Sequence, residues 1–330
     1  MAPRETSLHN KRLHLWPFIA AYFIASFTAF LLSGFRLALH DTALVLGPTI
    51  VGSVAAFSAA RRMPTLRLAI FLDTTFQYTI LGCATAMFAF SAATLNSPLF
   101  DESVLNFDRS IGFDWYKFAR FIADHPTLRT ILNFGYMSLF WQAPLLLAML
   151  CFSKRYRETD RFIIANLIAM LVTVMIFAAC PVTTAWVHTG VSQAELKALH
   201  LQSGTGGWVR QLFDIRNGRT SLVSAHMDFG IIGFPSFHAI SAFLNIGAFW
   251  ALRRLRIIAV VLNGIMIVST LIVGGHYLAD ITAAGLVTWI SIMGARSIMA
   301  LSSRGQARPS LSDAAHTLDA GTPVAARAHF

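Results

Sequence analysis

Eight long apolar segments are the feature of this chain that most restricts its fold. Each is close to the roughly 20 residues that a helix needs to cross a lipid bilayer. Inside a bilayer the backbone must pair its own polar groups, which favours helices over irregular structure. The segments are 16–33, 43–60, 68–93, 128–152, 162–180, 237–252, 257–273 and 277–298. We therefore predict an all-α fold, a polytopic transmembrane helical bundle of about eight helices.

The composition supports a membrane protein over a soluble one. Of the 330 residues, 55% are hydrophobic and 13% are charged, whereas soluble domains average about 25% charged residues. In this setting the net charge of +10 indicates orientation in a membrane rather than binding to nucleic acid. The cysteines, Cys83, Cys151 and Cys180, lie within or at the ends of apolar segments without metal or disulfide spacing, so we interpret them as small core residues.

The distribution of lysine and arginine predicts the orientation of the bundle. If the N-terminus is cytoplasmic, 17 of the 26 basic residues fall in cytoplasmic segments and 9 fall outside. This is the bias expected for cytoplasmic loops. Both termini are then cytoplasmic, and the polar motifs described below lie on the extracytoplasmic side of the membrane.

Two long outer loops and a polar tail complete the chain. The first loop, 94–127, contains the stretch 107–115, in which aromatic side chains are interleaved with charged ones. This suggests either an amphipathic segment on the membrane surface or an ordinary capped surface helix. Residues 181–232 are rich in glycine and polar residues, and we predict a lid or a head-group site there. The tail, rich in Ser, Ala, Arg and Pro, is predicted to be disordered.

Ionisable residues at the ends of two apolar segments are the candidate catalytic groups. His238 begins one segment, and His276 and Asp280 begin another on the same side of the predicted membrane. Such residues are costly to place near a bilayer and are functional candidates. On a helix His276 and Asp280 share a face, so the carboxylate can hold one imidazole nitrogen while the other attacks. His238 can then protonate a leaving oxygen.

The residues beside these histidines predict an anion site. Pro235 suits the first turn of a helix, and Ser236 and Phe237 then place N–H groups and a hydroxyl at its N-terminus. Gly275 permits the backbone to approach a ligand closely. A phosphate held there would meet His238 and His276 from opposite sides. A packing histidine, a local ion pair at His276 and Asp280, or haem and metal ligation are alternatives, although no third metal ligand is obvious.

The two motifs resemble those of a known family. Pro235-Ser236-x-His238-Ala239 and Ser269-Thr270 followed by His276-Tyr277-x-x-Asp280 are similar to motifs of the type 2 phosphatidic acid phosphatase superfamily, and most of all to its inositolphosphotransferase (aureobasidin-resistance, inositol phosphorylceramide synthase) branch. The stretch 111–114 resembles bacterial members of that branch. The resemblance implies a six-helix core, His276 as nucleophile, Asp280 as its orienting partner, His238 as general acid, and a bacterial cell-membrane location.

The chain departs from the phosphatase branch in its basic residues. Thr270 stands where that branch has an arginine six residues before the nucleophile, and residues 180–186 occupy the place of a Lys and Arg-Pro motif without carrying an arginine. We expect Arg210, Arg216 or Arg219 to supply the positive charge that holds the phosphate. Arg216 and Arg219 are therefore candidate phosphate ligands. The other candidates are Ser236, Phe237 and Gly275.

These observations predict three domains and one leading function. The domains are a two-helix extension (1–67), a six-helix catalytic domain (68–299) and a tail (300–330). We expect a lipid phosphotransferase that needs no metal or other cofactor, acts on a lipid phosphate ester within the bilayer, and does not bind nucleic acid. The alternatives are a lipid phosphate phosphatase and a catalytically idle binding or transport protein. The pattern leaves the lipid, the acceptor and the oligomeric state open.

Overall fold

The computed structural model describes residues 13–38, 51–52, 54–55, 58, 61–63, 66–199, 207–224, 227–228 and 230–306. Within them the regular secondary structure is helical except for one short strand pair. The helices are α1 (Trp16–Leu32), α2 (Arg67–Ala93), α3 (Asp101–Ser110), α4 (Trp115–Ala123), α5 (Pro126–Met137), α6 (Leu139–Phe152), α7 (Tyr156–Ala179), α8 (Ala185–His188), α9 (Gln193–Ala198), α10 (Gly207–Arg216), α11 (Phe237–Phe249), a 3-10 turn (Arg253–Leu255), α12 (Arg256–Ile272) and α13 (Leu278–Gln306). The strands are β1 (Arg36–Leu37) and β2 (Leu222–Val223), which pair in parallel.

The prediction of an all-α membrane bundle is confirmed. In the described part of the chain, four helices are long and apolar enough to cross a membrane, namely α2, α7, α12 with its preceding turn, and α13. Helices α5 and α6 would form a fifth span, bent by 53° where they meet. Helices α1 and α11 are shorter apolar helices at predicted positions. The segment predicted at 43–60 lies largely outside the described residues.

Helix α7 lies at the centre of the bundle. It packs against α2, α11 and α13, while α1 covers α2, and α12 pairs with both α11 and α5. Apolar side chains fill the space between these helices, and others point outward, such as Leu32, Ile257 and Trp289, which are 83%, 79% and 61% exposed. Outward apolar side chains are what a lipid-facing surface requires, since lipid tails replace water there.

One end of the bundle, here called the basic end, joins the segments that carry most of the predicted cytoplasmic charge. The N–H of Leu13 donates to Asp160 at the start of α7 (3.1 Å). The guanidinium of Arg67 at the start of α2 donates to the carbonyl of Phe152 at the end of α6 (3.0 Å). The start of α1, the start of α2, the end of α6 and the start of α7 therefore meet, as the alternating topology predicts.

The opposite end, here called the site end, gathers the two long loops. Helix α3 packs on α13 and α8, and β2 from the second loop pairs with β1, which follows α1. The indole of Trp115 is 3% exposed and donates to the carbonyl of Leu271 (2.7 Å). Asp114 caps α4 by accepting from the N–H of Lys117 (3.1 Å). The loop therefore contains a capped helix, and its Trp115 is buried against the end of α12.

Candidate active site

The two motifs meet at the site end through their backbones. The N–H of Ser236, just before α11, donates to the carbonyl of Asp280 in the first turn of α13 (3.3 Å). Ser236 is fully buried and caps α11, since its hydroxyl accepts from the N–H of Ala239 (3.4 Å). The first turns of α11 and α13 therefore lie side by side, and His238 comes within electrostatic range of His276.

His276 is held at one ring nitrogen by Asp280. Its Nδ1 lies 2.9 Å from Asp280 Oδ2, and the same oxygen accepts from the N–H of Tyr277 (2.9 Å). Helix α13 begins only at Leu278, so the pair is not a helical i,i+4 pair as the spacing suggested; the carboxylate reaches back from the first turn to a histidine in the preceding loop. Nε2 of His276 makes no hydrogen bond with any described residue.

The loop before α13 is fixed by close backbone packing. The N–H of His276 donates to the carbonyl of Thr270 (3.1 Å), so the Ser269-Thr270 element positions the histidine through its backbone. Gly275 has φ +68°, a conformation that glycine adopts without steric cost. A Cβ on Gly274 would lie 2.6 Å from the His276 ring. The ring therefore occupies space that only a glycine leaves open.

The segment 181–186 packs against both motifs. The N–H of Ala185 donates to the carbonyl of Gly275 (2.8 Å), and a Cβ on Gly275 would touch the side chains of Thr184 and Trp186 at 3.2 and 3.3 Å. On the other side, Gly233 fits directly against the carbonyl of Val182. Segment 181–186 stands where the phosphatase branch has its Lys and Arg-Pro motif. It therefore packs beside both histidine motifs, although it carries no arginine.

His238 lies on the other side of the site, against Tyr136 at the end of α5. The two rings are stacked, with centroids 3.9 Å apart and planes inclined by 17°. The bend between α5 and α6 falls directly after this tyrosine, at Ser138. Nε2 of His238 is buried and has no hydrogen-bond partner among the described residues.

Three further buried polar atoms, in the second motif and in segment 181–186, have no partner among the described residues: Oδ1 of Asp280, Oγ1 of Thr184 and Nε1 of Trp186. Buried polar atoms are hydrogen-bonded in roughly 90% or more of cases, so each such exception needs an explanation. Together with His238 they supply a hydroxyl, an indole N–H, an imidazole and a carboxylate oxygen.

Helix α3 supports the site with two buried carboxylates. Asp108 accepts from the N–H groups of Leu278 (2.8 Å) and Ala279 (2.9 Å) and so caps α13, one turn from Asp280. Burial raises the pKa of Asp108, and these two N–H groups oppose that rise. A carboxylate at a helix N-terminus also complements the helix dipole. The cap therefore fixes the helix that presents Asp280.

Asp101, at the start of α3, ties segment 181–186 to the histidine loop. It accepts from the N–H and the hydroxyl of Thr183 (3.0 and 2.7 Å) and from the phenol of Tyr277 (3.2 Å), and His188 lies 3.5 Å away. Burial, followed by the nearby Asp101, raises the pKa of the Tyr277 phenol, which keeps it a hydrogen-bond donor.

The three arginines that were candidates for phosphate binding, Arg210, Arg216 and Arg219, are not hydrogen-bonded to the two histidines or Asp280. Arg216 donates to the carbonyl of Ser97 (2.7 Å), and Arg219 is 74% exposed and 3.8 Å from Asp214. Arg210 is exposed on α10. The structure does not bring any of the three into hydrogen-bond contact with His238, His276 or Asp280. Ser236 and Gly275 lie in the site as described, and Phe237 is the first residue of α11.

A cavity of about 640 Å³ opens at the site end between the α3–α4 turn and the α8–α9 turn. Its wall includes Arg109, Trp115, Tyr116, Lys117, His188 and Glu195. His188 links the cavity to the interior of the protein, because its Nε2 lies 3.5 Å from the buried carboxylate of Asp101. Among the described residues, no group of three or more His, Cys, Asp or Glu side chains is arranged to hold a metal ion.

The fold and the site together define a class: an integral membrane protein of helical-bundle type, with an aspartate-held histidine and a second histidine at one end. A family model described as the PAP2 superfamily matches residues 102–294, more than half of the chain. The chain belongs to the PAP2 superfamily, whose members are phosphatases or phosphotransferases, and it is therefore an enzyme of that type. No curated protein and no solved structure matches the chain.

The match confirms the superfamily resemblance seen in the motifs and covers α3 to most of α13. It does not point to the inositolphosphotransferase branch. Sequence reasoning missed Asp101, Tyr136, Thr184 and Trp186 as site residues. Asp108 falls within the loop 94–127, where acidic residues among aromatic ones are the signal in the sequence that could have indicated a role in the site.

Proposed function

We propose that this protein transfers a phosphate-bearing group of a lipid by way of a covalent intermediate on His276. The observation that supports this most is the hydrogen bond between His276 Nδ1 and Asp280, beside a Nε2 that makes no hydrogen bond with a described residue. An imidazole held in this way has its attacking nitrogen unprotonated, and the carboxylate stabilises the positive charge that forms on attack.

The reaction has two steps with balanced proton transfers. Nε2 of His276 attacks phosphorus, a P–N bond forms, the P–O bond to the leaving group breaks, and His238 gives its proton to the departing oxygen. In the second step an acceptor hydroxyl attacks phosphorus, His238 takes the proton of that hydroxyl, and the P–N bond breaks. General acid–base help of this kind contributes about 10²–10⁴-fold to a rate.

Neutral donors take the role of the missing arginines in this proposal. Thr184 Oγ1 and Trp186 Nε1 are buried beside Gly275, where they have no partner among the described residues and can donate to phosphate oxygens. The N–H groups of Phe237 and His238 in the first turn of α11 have no acceptor among the described residues and add the positive end of a helix dipole. Donors fixed before the reaction stabilise developing charge without reorganisation.

The cavity at the site end supports transfer over hydrolysis. A cavity of about 640 Å³ with polar and aromatic walls has the size of a ligand pocket. It would hold a polar head group, and His188 in its wall lies 3.5 Å from Asp101, which accepts a hydrogen bond from Tyr277 beside His276. Phosphatase action, with water as the acceptor, is the second candidate and uses the same two histidines.

The test is a product analysis with purified full-length protein in lipid vesicles. Phospholipids labelled in the phosphate are supplied with and without a lipid alcohol such as diacylglycerol, and His276→Ala is the matched inactive control. We expect a new labelled lipid that depends on the alcohol and is absent in the control. Free phosphate alone would support the phosphatase instead, and no product from folded protein would support the idle alternative.

A further inference from the structure

A second cavity, of about 280 Å³, lies far from the catalytic site between α7, α11 and α13. Its wall includes Glu158, Arg161, Gly247, Trp250, Ile292 and Arg296. Arg296 follows Asp280 by 16 residues on α13, which corresponds to about 24 Å along a helix. The cavity is therefore at the basic end of the bundle, near the opposite limit of a hydrocarbon layer that is about 30 Å thick.

The cavity exists because α11 is shorter than its neighbours. With 13 residues α11 spans about 20 Å, whereas α7 and α13 have 24 and 29 residues and continue past its end. Gly247 keeps the remaining space open, because a Cβ there would meet only the end of Ile292, at 3.6 Å. The chain after α11 turns away through Trp250 and the 3-10 turn, which leaves a recess between α7 and α13.

The recess combines cationic and apolar walls. Arg161 and Arg296 supply two guanidinium groups against the single carboxylate of Glu158. Nε of Arg161 is buried and has no hydrogen-bond partner among the described residues. A buried guanidinium donor without a partner is uncommon, because such groups are costly to leave unsatisfied. The rest of the wall is mainly apolar, with Phe162, Leu244 and Ile292 among its residues.

We propose that this recess binds the head group of an anionic phospholipid of the surrounding membrane. A phosphate oxygen would satisfy Arg161, and the acyl chains would lie along the apolar side chains that face the bilayer, among them Trp250, which is 53% exposed. Basic pockets between membrane helices are known to bind anionic head groups in this way. This lipid site is separate from the catalytic histidines. The proposal therefore does not depend on whether the enzyme is a phosphotransferase or a phosphatase.

The test compares lipid retention by purified full-length protein and its variants. Native mass spectrometry counts bound phosphatidylglycerol or phosphatidylcholine, and thermal unfolding in detergent is followed with added phosphatidylglycerol or inorganic phosphate. The variants are Arg161→Gln with Arg296→Gln, which removes the charges, and Gly247→Leu, which fills the recess without changing charge. Arg157→Gln is the matched control, because Arg157 is exposed on the same helix and does not line the cavity.

We expect wild type and the control to retain phosphatidylglycerol in preference to phosphatidylcholine and to be stabilised by it. The double arginine variant should bind it roughly tenfold or more weakly, given the contribution of each basic residue at a membrane surface. Gly247→Leu should also bind it more weakly, because the new side chain occupies the recess. If the double arginine variant does not fold, lipid retention by Gly247→Leu still tests the proposal. Equal retention by wild type and Gly247→Leu would overturn the proposal, and equal stabilisation by inorganic phosphate would assign the recess to a soluble anion instead.

Discussion

At the scale of single residues, several buried polar atoms of the site have no hydrogen-bond partner among the described residues. The ring of His276 has a hydrogen-bond partner at Nδ1 and none at Nε2 among the described residues. His238, Thr184, Trp186 and Asp280 each keep one buried polar atom without a partner in the same part of the chain. In the proposed function, Thr184 and Trp186 donate to the phosphate, and the two imidazoles lie on either side of it. The neutral donors then take the role that the resemblance assigns to arginines.

Removing either neutral donor should slow the reaction. We expect Thr184→Val and Trp186→Phe each to lower kcat/KM by about 10- to 100-fold, since a hydrogen bond to a charged group contributes about 1.5–3 kcal/mol. The exposed residues Thr282 and Trp289 on α13 provide matched controls, as Thr282→Val and Trp289→Phe. Initial rates on a phosphate ester measure the effect. Rates equal to those of the controls would exclude these two groups from the phosphate site.

The residues of the motifs were predictable, but the residues that complete the site were not. The positions of His238, His276 and Asp280 at the ends of apolar segments already indicated a shared site. Thr184 and Trp186 reach that site only because the chain of segment 181–186 packs on Gly233 and Gly275, and no local pattern encodes that packing. The same holds for Tyr136, which meets His238 because a helix bends directly after it.

At the scale of elements, α3 is the part whose role differs most from its sequence pattern. Its residues suggested a surface segment, yet it directs Asp101 to segment 181–186 and Asp108 to the first turn of α13. The helix thus connects the loop before the site to the helix that presents Asp280. Its position depends on long-range hydrogen bonds, which amphipathic periodicity does not reveal.

The variant Asp108→Ala should separate this role from ordinary helix capping. Loss of a helix cap typically costs about 1 kcal/mol, so Asp108→Ala and Asp114→Ala should both lower the thermal midpoint modestly. Only Asp108→Ala should also lower kcat, because Asp108 caps the helix that carries Asp280, whereas Asp114 caps α4. Thermal unfolding and steady-state kinetics give the two readouts. A similar loss of kcat in both variants would contradict the assignment.

At the scale of the whole molecule, the bundle separates two ends of different chemistry. The helical segments were largely predictable, since apolar runs of bilayer length allow little else. The limits of α2 and α12 lie within one residue of the prediction, whereas α7 begins six residues earlier and α13 ends eight residues later than predicted. The 53° bend between α5 and α6 was not predictable from hydropathy, because residues 128–152 form one continuous apolar segment in the sequence.

The orientation remains a prediction from the basic residues, and a pair of cysteine variants tests it. After Cys83, Cys151 and Cys180 are replaced by alanine, Ser110→Cys marks the site end and Ser153→Cys the basic end; both positions are exposed. In intact cells we expect an impermeant thiol reagent to label Ser110→Cys, and Ser153→Cys only after permeabilisation. The reverse pattern would place the active site in the cytoplasm.

The central claim, that His276 carries the covalent intermediate and His238 handles the proton, is tested most directly by trapping the phosphorylated enzyme. Wild type, His276→Ala, His238→Ala and Asp280→Asn are mixed briefly with a labelled nitrophenyl phosphate ester, denatured in alkali, and the label is located by peptide mapping. We predict label on His276 in wild type and in His238→Ala, because nitrophenolate leaves without a proton. Asp280→Asn should be labelled much more slowly, and His276→Ala not at all. Label that persists in His276→Ala and disappears in His238→Ala would contradict the account and reverse the two histidines.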